Sequence, residues 1–301
     1  MIEEVRLALK VAALHPSITM PTDPYTVPTK IARSTSYIAS EASVDAPTEL
    51  RKSSLTTGNV TFTTKTFAVA SPFSFEFEEN SVVPVIPMVR RDIVLAIADG
   101  IENAVINGDT SATYQDTGLS LNADDQRKAW TGYRKSCLTA SKVDFNSGTE
   151  SYTTSNFRTM RKTLGKYGVN PSDLAWVISI NGYIKMLSIS EVLTLDKYGP
   201  STPILTGELG RFDGIPIIVS EFVRTDMNAS GLYDGTTTTQ SIVLLVNKPS
   251  FWFGEKGSSE IEIVRNPLTR QYVVVSALKR DFKCVRPSTD AVVALGYDYA
   301  S

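Results

Sequence analysis

A catalytic or metal centre needs histidines, thiols or paired carboxylates that can converge, and this sequence is poor in the first two. His15 is its one histidine, in the run HPSITMPTDPYTVP, and Cys137 and Cys284 are its two cysteines. A Ser-His-Asp or Cys-His nucleophile would have to use His15, which stands in a proline-rich stretch that offers no shaped setting. One histidine and two separated thiols do not make a zinc set. Neither a phosphate-binding G-x-x-x-x-G-K-[ST] nor a dinucleotide G-x-G-x-x-G occurs. The glycines of GELGRFDG match neither pattern, and Gly214, just before Ile215-Pro216, reads as a turn glycine. The acidic stretches NADDQR and INGDTSATYQD lack the alternation of a calcium loop and read as solvated loops. Glu76, Glu78, Glu79, Asp99 and Glu102 are acids without the setting of a catalytic pair, and strand alternation puts Glu76 and Glu78 on a solvent side. The sequence therefore predicts no catalytic residue, no cofactor and no metal.

Charge narrows the partners. Thirty Lys and Arg against 32 Asp and Glu leave a net charge of -2, so no overall basic field draws the chain to nucleic acid. Basic pairs recur at Arg51-Lys52, Arg90-Arg91, Arg127-Lys128, Arg134-Lys135 and Arg161-Lys162. They read as solvated faces; their wide spacing also suits acids on neighbouring subunits or weak contact with packed DNA phosphate. Two distant cysteines do not form a disulfide framework and are expected as reduced, mostly buried thiols. The N-terminal MIEEVRLALKVAALHPS is amphipathic and is not a signal peptide. No run approaches the ~18 apolar residues of a membrane span, so a soluble protein made in the cytosol is expected, with no membrane partner.

The elements follow from periodicity. Residues 2–14 predict a short helix closed by Pro16, and Pro16, Pro21, Pro24 and Pro28 then predict an extended arm lying over a surface. Residues 29–70 are rich in Ser and Thr and predict a long hairpin, with strands at 31–39 and 60–69. A lone hairpin is barely stable in water, so another subunit is expected to cover it. SPFSFEFEEN alternates Phe73, Phe75 and Phe77 with polar residues and predicts a half-buried strand. The helix after Pro87 carries Val89, Ile93, Ile97, Ile101 and Val105 at four-residue spacing and is expected to end at a Gly108 cap. Further on come a helical stretch within 124–137, a helix with Phe157, Met160 and Leu164 on one face, and a buried strand LAWVISI. A helix NGYIKMLSISEVL, a strand at 215–220, four more strand signals and a short tail TDAVVALGYDYA complete the chain. Helices and strands mix without regular βαβ alternation, which predicts an α+β fold.

Order and spacing together carry a resemblance. SPFSFEFEENSVVPVIPMVRRDIVLAIADGIENAVINGD resembles the segment of tailed-bacteriophage major capsid proteins in which the strand after the extended loop leads into the long spine helix, ending in an Asn-Gly-Asp-type signature, here Asn107-Gly108-Asp109. LAWVISINGYIKMLSISEV is similar to the strand and helix entering the family's axial domain. GRFDGIPIIVSEF, with Gly210, Gly214 and Pro216, is similar to its G-x-x-x-G-x-P-V turn and strand, and IEIVRNPLTRQYVVVSALKRDFKCVRPSTDAVVAL to the closing strands of its peripheral domain. The resemblance implies the Hong Kong ninety-seven phage-type capsid fold, shared with encapsulins. It places an arm at 1–28, an extended loop at 29–70, a peripheral domain at 71–173 and 246–301 with a spine helix at 88–107, and an axial domain at 174–245.

It also implies a function: self-assembly as hexamers and pentamers into an icosahedral shell around phage double-stranded DNA, in a virion assembled in the bacterial cytoplasm. Scaffolding, portal and cement proteins are the further partners implied. The loop tip is expected to meet a neighbour through Glu41, Asp45, Glu49, Arg51 and Lys52. Met1 opens directly in the arm, which fits either a separate scaffold or a mature product. The family's lysine–asparagine cross-link is not carried over, because neither Lys52 nor Asn266 sits in a clear motif, and non-covalent stabilisation is expected. An encapsulin-type shell packaging cargo enzymes is the near alternative; an oligomeric hydrolase and a tail or decoration protein are more distant ones.

Overall fold

The computed structural model describes residues 10–39, 49–81, 85–146, 152–187, 192–193 and 210–300. In chain order its first half holds β1 (Ser17–Thr19), β2 (Tyr25–Ala32), β3 (Thr56–Phe62), β4 (Lys65–Ser74), α1 (Phe75–Asn80), α2 (Val85–Asn107), α3 (Tyr133–Ser136), β5 (Lys142–Asp144) and α4 (Thr154–Thr163). Its second half holds β6 (Leu174–Ile178), α5 (Ile180–Leu187), β7 (Val192–Leu193), β8 (Arg211–Phe212), β9 (Ile215–Val219), β10 (Gln240–Asn247), β11 (Phe251–Asn266), β12 (Gln271–Cys284) and β13 (Val293–Ala300).

Three sheets organise these elements. A four-stranded sheet runs β1-β11-β12-β4, a seven-stranded sheet runs β5-β13-β10-β6-β9-β8-β7, and β2 pairs with β3 as a separate ribbon. The β11–β12 hairpin is long, registered from Phe251 opposite Cys284 to Asn266 opposite Gln271, with an irregularity between Lys256 and Glu260. The NPLT turn closes it, with Arg270 in the left-handed region at φ 52°.

The seven-stranded sheet separates two cores by the period-two rule of strands. Ala175, Val177, Leu244, Val246 and Leu295 face the core built around α2 and the four-stranded sheet. Their neighbours Trp176, Ile178, Val243, Leu245 and Ala294 face the second core, against Phe157, Met160 and Leu164 of α4. Strands buried on both faces read as continuous apolar runs, as LAWVI and IPIIV do. Helix α2 packs on β4 and β12. Its Ile93, Ile97, Ile101 and Val105 are buried, as the four-residue spacing predicts.

Several expectations change. The stretch 60–69 is not one strand: β3 pairs with β2, and β4 pairs with β12. The break falls at Thr63-Thr64, where the Thr63 N–H donates to Asp281 at 2.7 Å and the Thr64 N–H to Asp23 at 3.3 Å. Carboxylates there take the place of ladder carbonyls. The first hairpin strand lies at 25–32 rather than 31–39, and residues 33–39 carry no regular structure.

FEFEEN is a helix, not the end of a strand. The Ser74 hydroxyl accepts from the Phe77 N–H at 3.2 Å, an N-cap, and Glu76 and Glu78 sit favourably in the first turn. The supposed tail is β13, an interior strand antiparallel to β10 and parallel to β5. The helix after LAWVISI ends at Leu187, and Val192-Leu193 pair with Arg211-Phe212 instead. Ser179 rather than Asn181 marks its start, accepting from the Gly182 N–H at 3.2 Å. Within 124–137 only the short turn Gln126–Lys128 and α3 are helical. Most of the predicted N-terminal helix lies outside the described residues, and Ala12–Leu14 form a single 3-10 turn. The turn before β9 is as expected, with Asp213 and Gly214 both at positive φ between the paired β8 and β9.

Candidate assembly interface

The β2–β3 ribbon and the segments that continue it leave large apolar side chains in solvent. Ile38 is 101% exposed and Leu50 72%, and Ile31, Tyr37 and Leu55 are exposed as well. Several large apolar side chains exposed along one extension fit an interaction site in a soluble protein. The ribbon is held internally by a ladder from Tyr25 opposite Phe62 to Ala32 opposite Thr56. Of the tip residues expected at a contact, Lys52 and Glu49 form an exposed ion pair at 3.7 Å, and the Arg51 guanidinium lies 4.3 Å from the Tyr37 ring centroid. The first is local to one side of the loop, and the second joins its two sides. Glu41 and Asp45 lie outside the described residues.

The body that carries this ribbon is locked at the end of α2. Asn107 donates its side-chain amide to Asn103 and to the Phe222 carbonyl, both at 2.9 Å, tying the helix to the loop after β9. Gly108 is not the left-handed cap expected: its φ is not positive, and its N–H continues the helix to Ala104 at 2.9 Å. What needs a glycine there is proximity. A Cβ would lie 2.5 Å from the Trp130 carbonyl, while the Gly132 N–H donates to the Gly108 carbonyl at 2.9 Å.

Asp109 is buried rather than solvated. It accepts from the Ser111 N–H at 2.8 Å and the Gln115 N–H at 2.9 Å, and pairs with Lys135 at 3.1 Å. These hydrogen bonds and the Lys135 charge hold its carboxyl below the usual range against the cost of burial. Asp116 is buried too, in a two-point pair with Arg134 at 2.7 and 2.8 Å, and it also accepts from the Tyr233 N–H at 3.0 Å. Neither buried aspartate was legible from the sequence.

The arm is anchored through the histidine. His15 is buried, with ring Nδ1 at 2.7 Å from the Lys248 carbonyl and Nε2 against the Tyr133 hydroxyl. That pattern makes Nδ1 the donor to the carbonyl and Nε2 the acceptor from the phenol. The rings of Tyr133, Phe251 and Phe282 surround it edge-on. Burial lowers its pKa to about 4, so the ring is neutral at physiological pH. His15 therefore has a shaped setting after all, and the setting is structural. β1 follows it and pairs with β11 from Ser17 opposite Phe253. The thiols are as expected: both cysteines are free, and burial pushes Cys137 up to about 12.

Among the described residues no cluster of His, Cys, Asp or Glu could hold a metal ion, and no helix is long and apolar enough to cross a membrane.

Comparisons with known proteins agree with this architecture. Residues 1–289 match the Phage capsid family. The major capsid protein of Escherichia phage T5 is 28% identical over 169 residues, which cover 56% of this chain. The match spans about a third of that relative's length, 34%. A chain in the structure of Microbacterium phage Oxtober96 superimposes with a TM-score of 0.69 at 11% identity, over 98% of this chain and 92% of that one. The capsid of a native GTA particle gives 0.66 at 12% identity, over 100% and 93%. At such identities the structural likeness speaks for the fold alone, and the fold is the α+β fold of phage capsids. With the family matched over nearly its whole length, the chain belongs to the phage capsid family.

Proposed function

We propose that this chain is the major capsid protein of a tailed phage, a structural protein and not an enzyme, which assembles as hexamers and pentamers into an icosahedral shell around double-stranded DNA. The observation that carries the proposal is the ribbon and the segments that continue it, with Ile31, Ile38, Leu50 and Leu55 in solvent, on a body of phage capsid fold. A two-stranded ribbon gains little stability alone and buries these side chains when a second subunit covers them. The name of the T5 relative supports the same reading.

In this proposal residues 1–28 tie down neighbouring subunits and residues 29–70 lie across an adjacent one, with Glu41, Asp45, Glu49, Arg51 and Lys52 at the contact. Residues 71–173 and 246–301 form the peripheral part, braced by α2, and residues 174–245 the axial part. Scaffolding, portal and cement proteins would be further partners, with assembly in the host cytoplasm and residence in the virion. DNA contact would be weak and non-specific, since the net charge is -2.

Deleting residues 44–55 tests the role of the loop. A folded subunit that no longer closes shells is expected, read by thermal melting and electron microscopy. Normal shells from this variant would contradict it.

A further inference from the structure

A notch of about 670 Å³ opens between the loop end of the β2–β3 ladder and the body. Lys30 and Arg33 of the ribbon face Lys166 and Arg286 of the body across it. Its single acid, Asp290, is already engaged, by Lys166 at 2.9 Å and by the Tyr167 hydroxyl at 2.6 Å. Lys30, Arg33 and Arg286 have no ion-pair partner among the described residues. Arg286 lies 5.6 Å from the Tyr167 ring centroid, and Ile31 and Pro287 complete an apolar floor. The notch is thus an apolar patch flanked by four cations and one acid, Asp290, whose carboxylate feels the charges of both Lys166 and Arg286.

The inverse pattern stands on α1. Phe77 is 49% exposed, between Glu76 and the pair Glu78 and Glu79. Glu76 is held by Arg270 at 2.8 Å, whereas Glu78 and Glu79 have no ion-pair partner among the described residues.

The two surfaces cannot meet within one chain. Helix α1 is fixed at the Gln271 end of β12, where the Phe75 N–H donates to the Arg270 carbonyl at 3.1 Å and the Phe75 and Tyr272 rings lie 4.7 Å apart. Arg286 lies just past Cys284, the other end of the same 14-residue strand. At ~3.3 Å per residue the ends are about 40 Å apart.

We propose that the notch receives the α1 segment of a second copy of this chain, with Phe77 on the apolar floor and Glu78 and Glu79 against Lys30, Arg33 and Arg286. This inference rests on the shell-forming reading and deepens it, because it names one inter-subunit contact. Two different surfaces at opposite ends of one strand make a heterologous, head-to-tail contact. Contacts of that type generate rings when the rotation closes. A charged contact of this kind sets register and speeds encounter.

The test is a charge exchange. Lys30→Glu with Arg33→Glu reverses the notch; Glu78→Lys with Glu79→Lys reverses the helix; a third chain carries all four changes. Lys30, Arg33 and Glu79 are exposed and Glu78 is half-buried, and thermal melting checks that each variant folds. Sedimentation of the full chain is expected to show at least a tenfold loss of assembled material for each two-residue variant, and recovery to within about threefold of wild type for the four-residue exchange. Wild-type assembly by either folded two-residue variant would overturn the proposal. So would a folded four-residue chain that assembles no better than its parents. Unchanged assembly with weakened DNA retention in the notch variant would also overturn it, in favour of a nucleic-acid site. If wild type forms rings or other oligomers but never closes shells, the shell reading fails while the exchange still decides this contact; a strictly monomeric wild type overturns both.

Discussion

The Ser220 hydroxyl donates to the Glu102 carboxylate at 2.8 Å, joining the C-terminal part of the long helix α2 to the end of β9. The backbone N–H of Val11, in the arm, also favours this carboxylate, so three distant segments meet on one buried acid. Glu102 is 1% exposed, and among the described residues the charges that act most on it are those of other acids. Burial, with the nearby charges of Asp99 and Glu221, raises its pKa to about 7 from an ordinary 4.5.

A titration of stability follows. The folded chain holds the Glu102 proton more tightly than the unfolded chain, so its contribution is full below about pH 4.5. It is lost as pH rises to about 7 and flat above that. Glu102→Gln keeps the acceptor for Ser220 and removes the charge. It is expected to match wild type at pH 4.5 and to be more stable at pH 8 by about 3 kcal/mol. Urea unfolding at the two pH values checks this; a constant difference between the proteins would contradict it.

His15 titrates in the same range with the opposite sign. Its folded pKa is depressed to about 4 from 6.5, so the stability it contributes is full above about pH 6.5 and lost as pH falls through 4. His15→Ala removes a buried ring and leaves the Tyr133 hydroxyl and the Lys248 carbonyl without their partner. A loss of about 2–4 kcal/mol at neutral pH is expected, with faster proteolysis of the arm than of the body. Unchanged arm protection would show that the histidine does not anchor it.

The Arg134–Asp116 pair is buried on both sides, each side chain 1% exposed. Removing one partner strands the other charge in the core. Arg134→Ala is expected to cost about 3–5 kcal/mol, and the Arg134→Ala, Asp116→Ala double variant much less than the sum of its singles. Chemical denaturation of the four proteins closes the cycle, and additive losses would contradict the coupling.

How much of this was legible in the sequence depends on whether the signal was local. The α2 stripe and the strands of LAWVI and IPIIV were legible, because burial on one stripe or on both faces leaves a periodic or continuous apolar record. The Phe73, Phe75, Phe77 alternation misled, because the Ser74 cap, worth a single hydrogen bond, turns the chain into a helix halfway along it. VALGYDYA looked like a tail because Gly296 and Asp298 interrupt the pattern; its place was set by β10 and β5, far away in sequence. Asp116 looked like a solvated acid because its partner Arg134 lies 18 residues on, and local composition cannot distinguish a paired acid from a free one. A two-stranded ribbon was legible from the extended polar segment, but its register was misplaced. Carboxylates from Asp23 and Asp281 end the strand at a point the Thr-rich sequence does not mark.

The central claim is that copies of this chain close into a shell. The most direct measurement is electron microscopy of the purified chain, alone and with a scaffolding protein from the same source, under conditions that permit assembly. Closed particles of uniform size, built of five- and six-membered rings, are the predicted result. Only small discrete particles or open tubes under those conditions would contradict it.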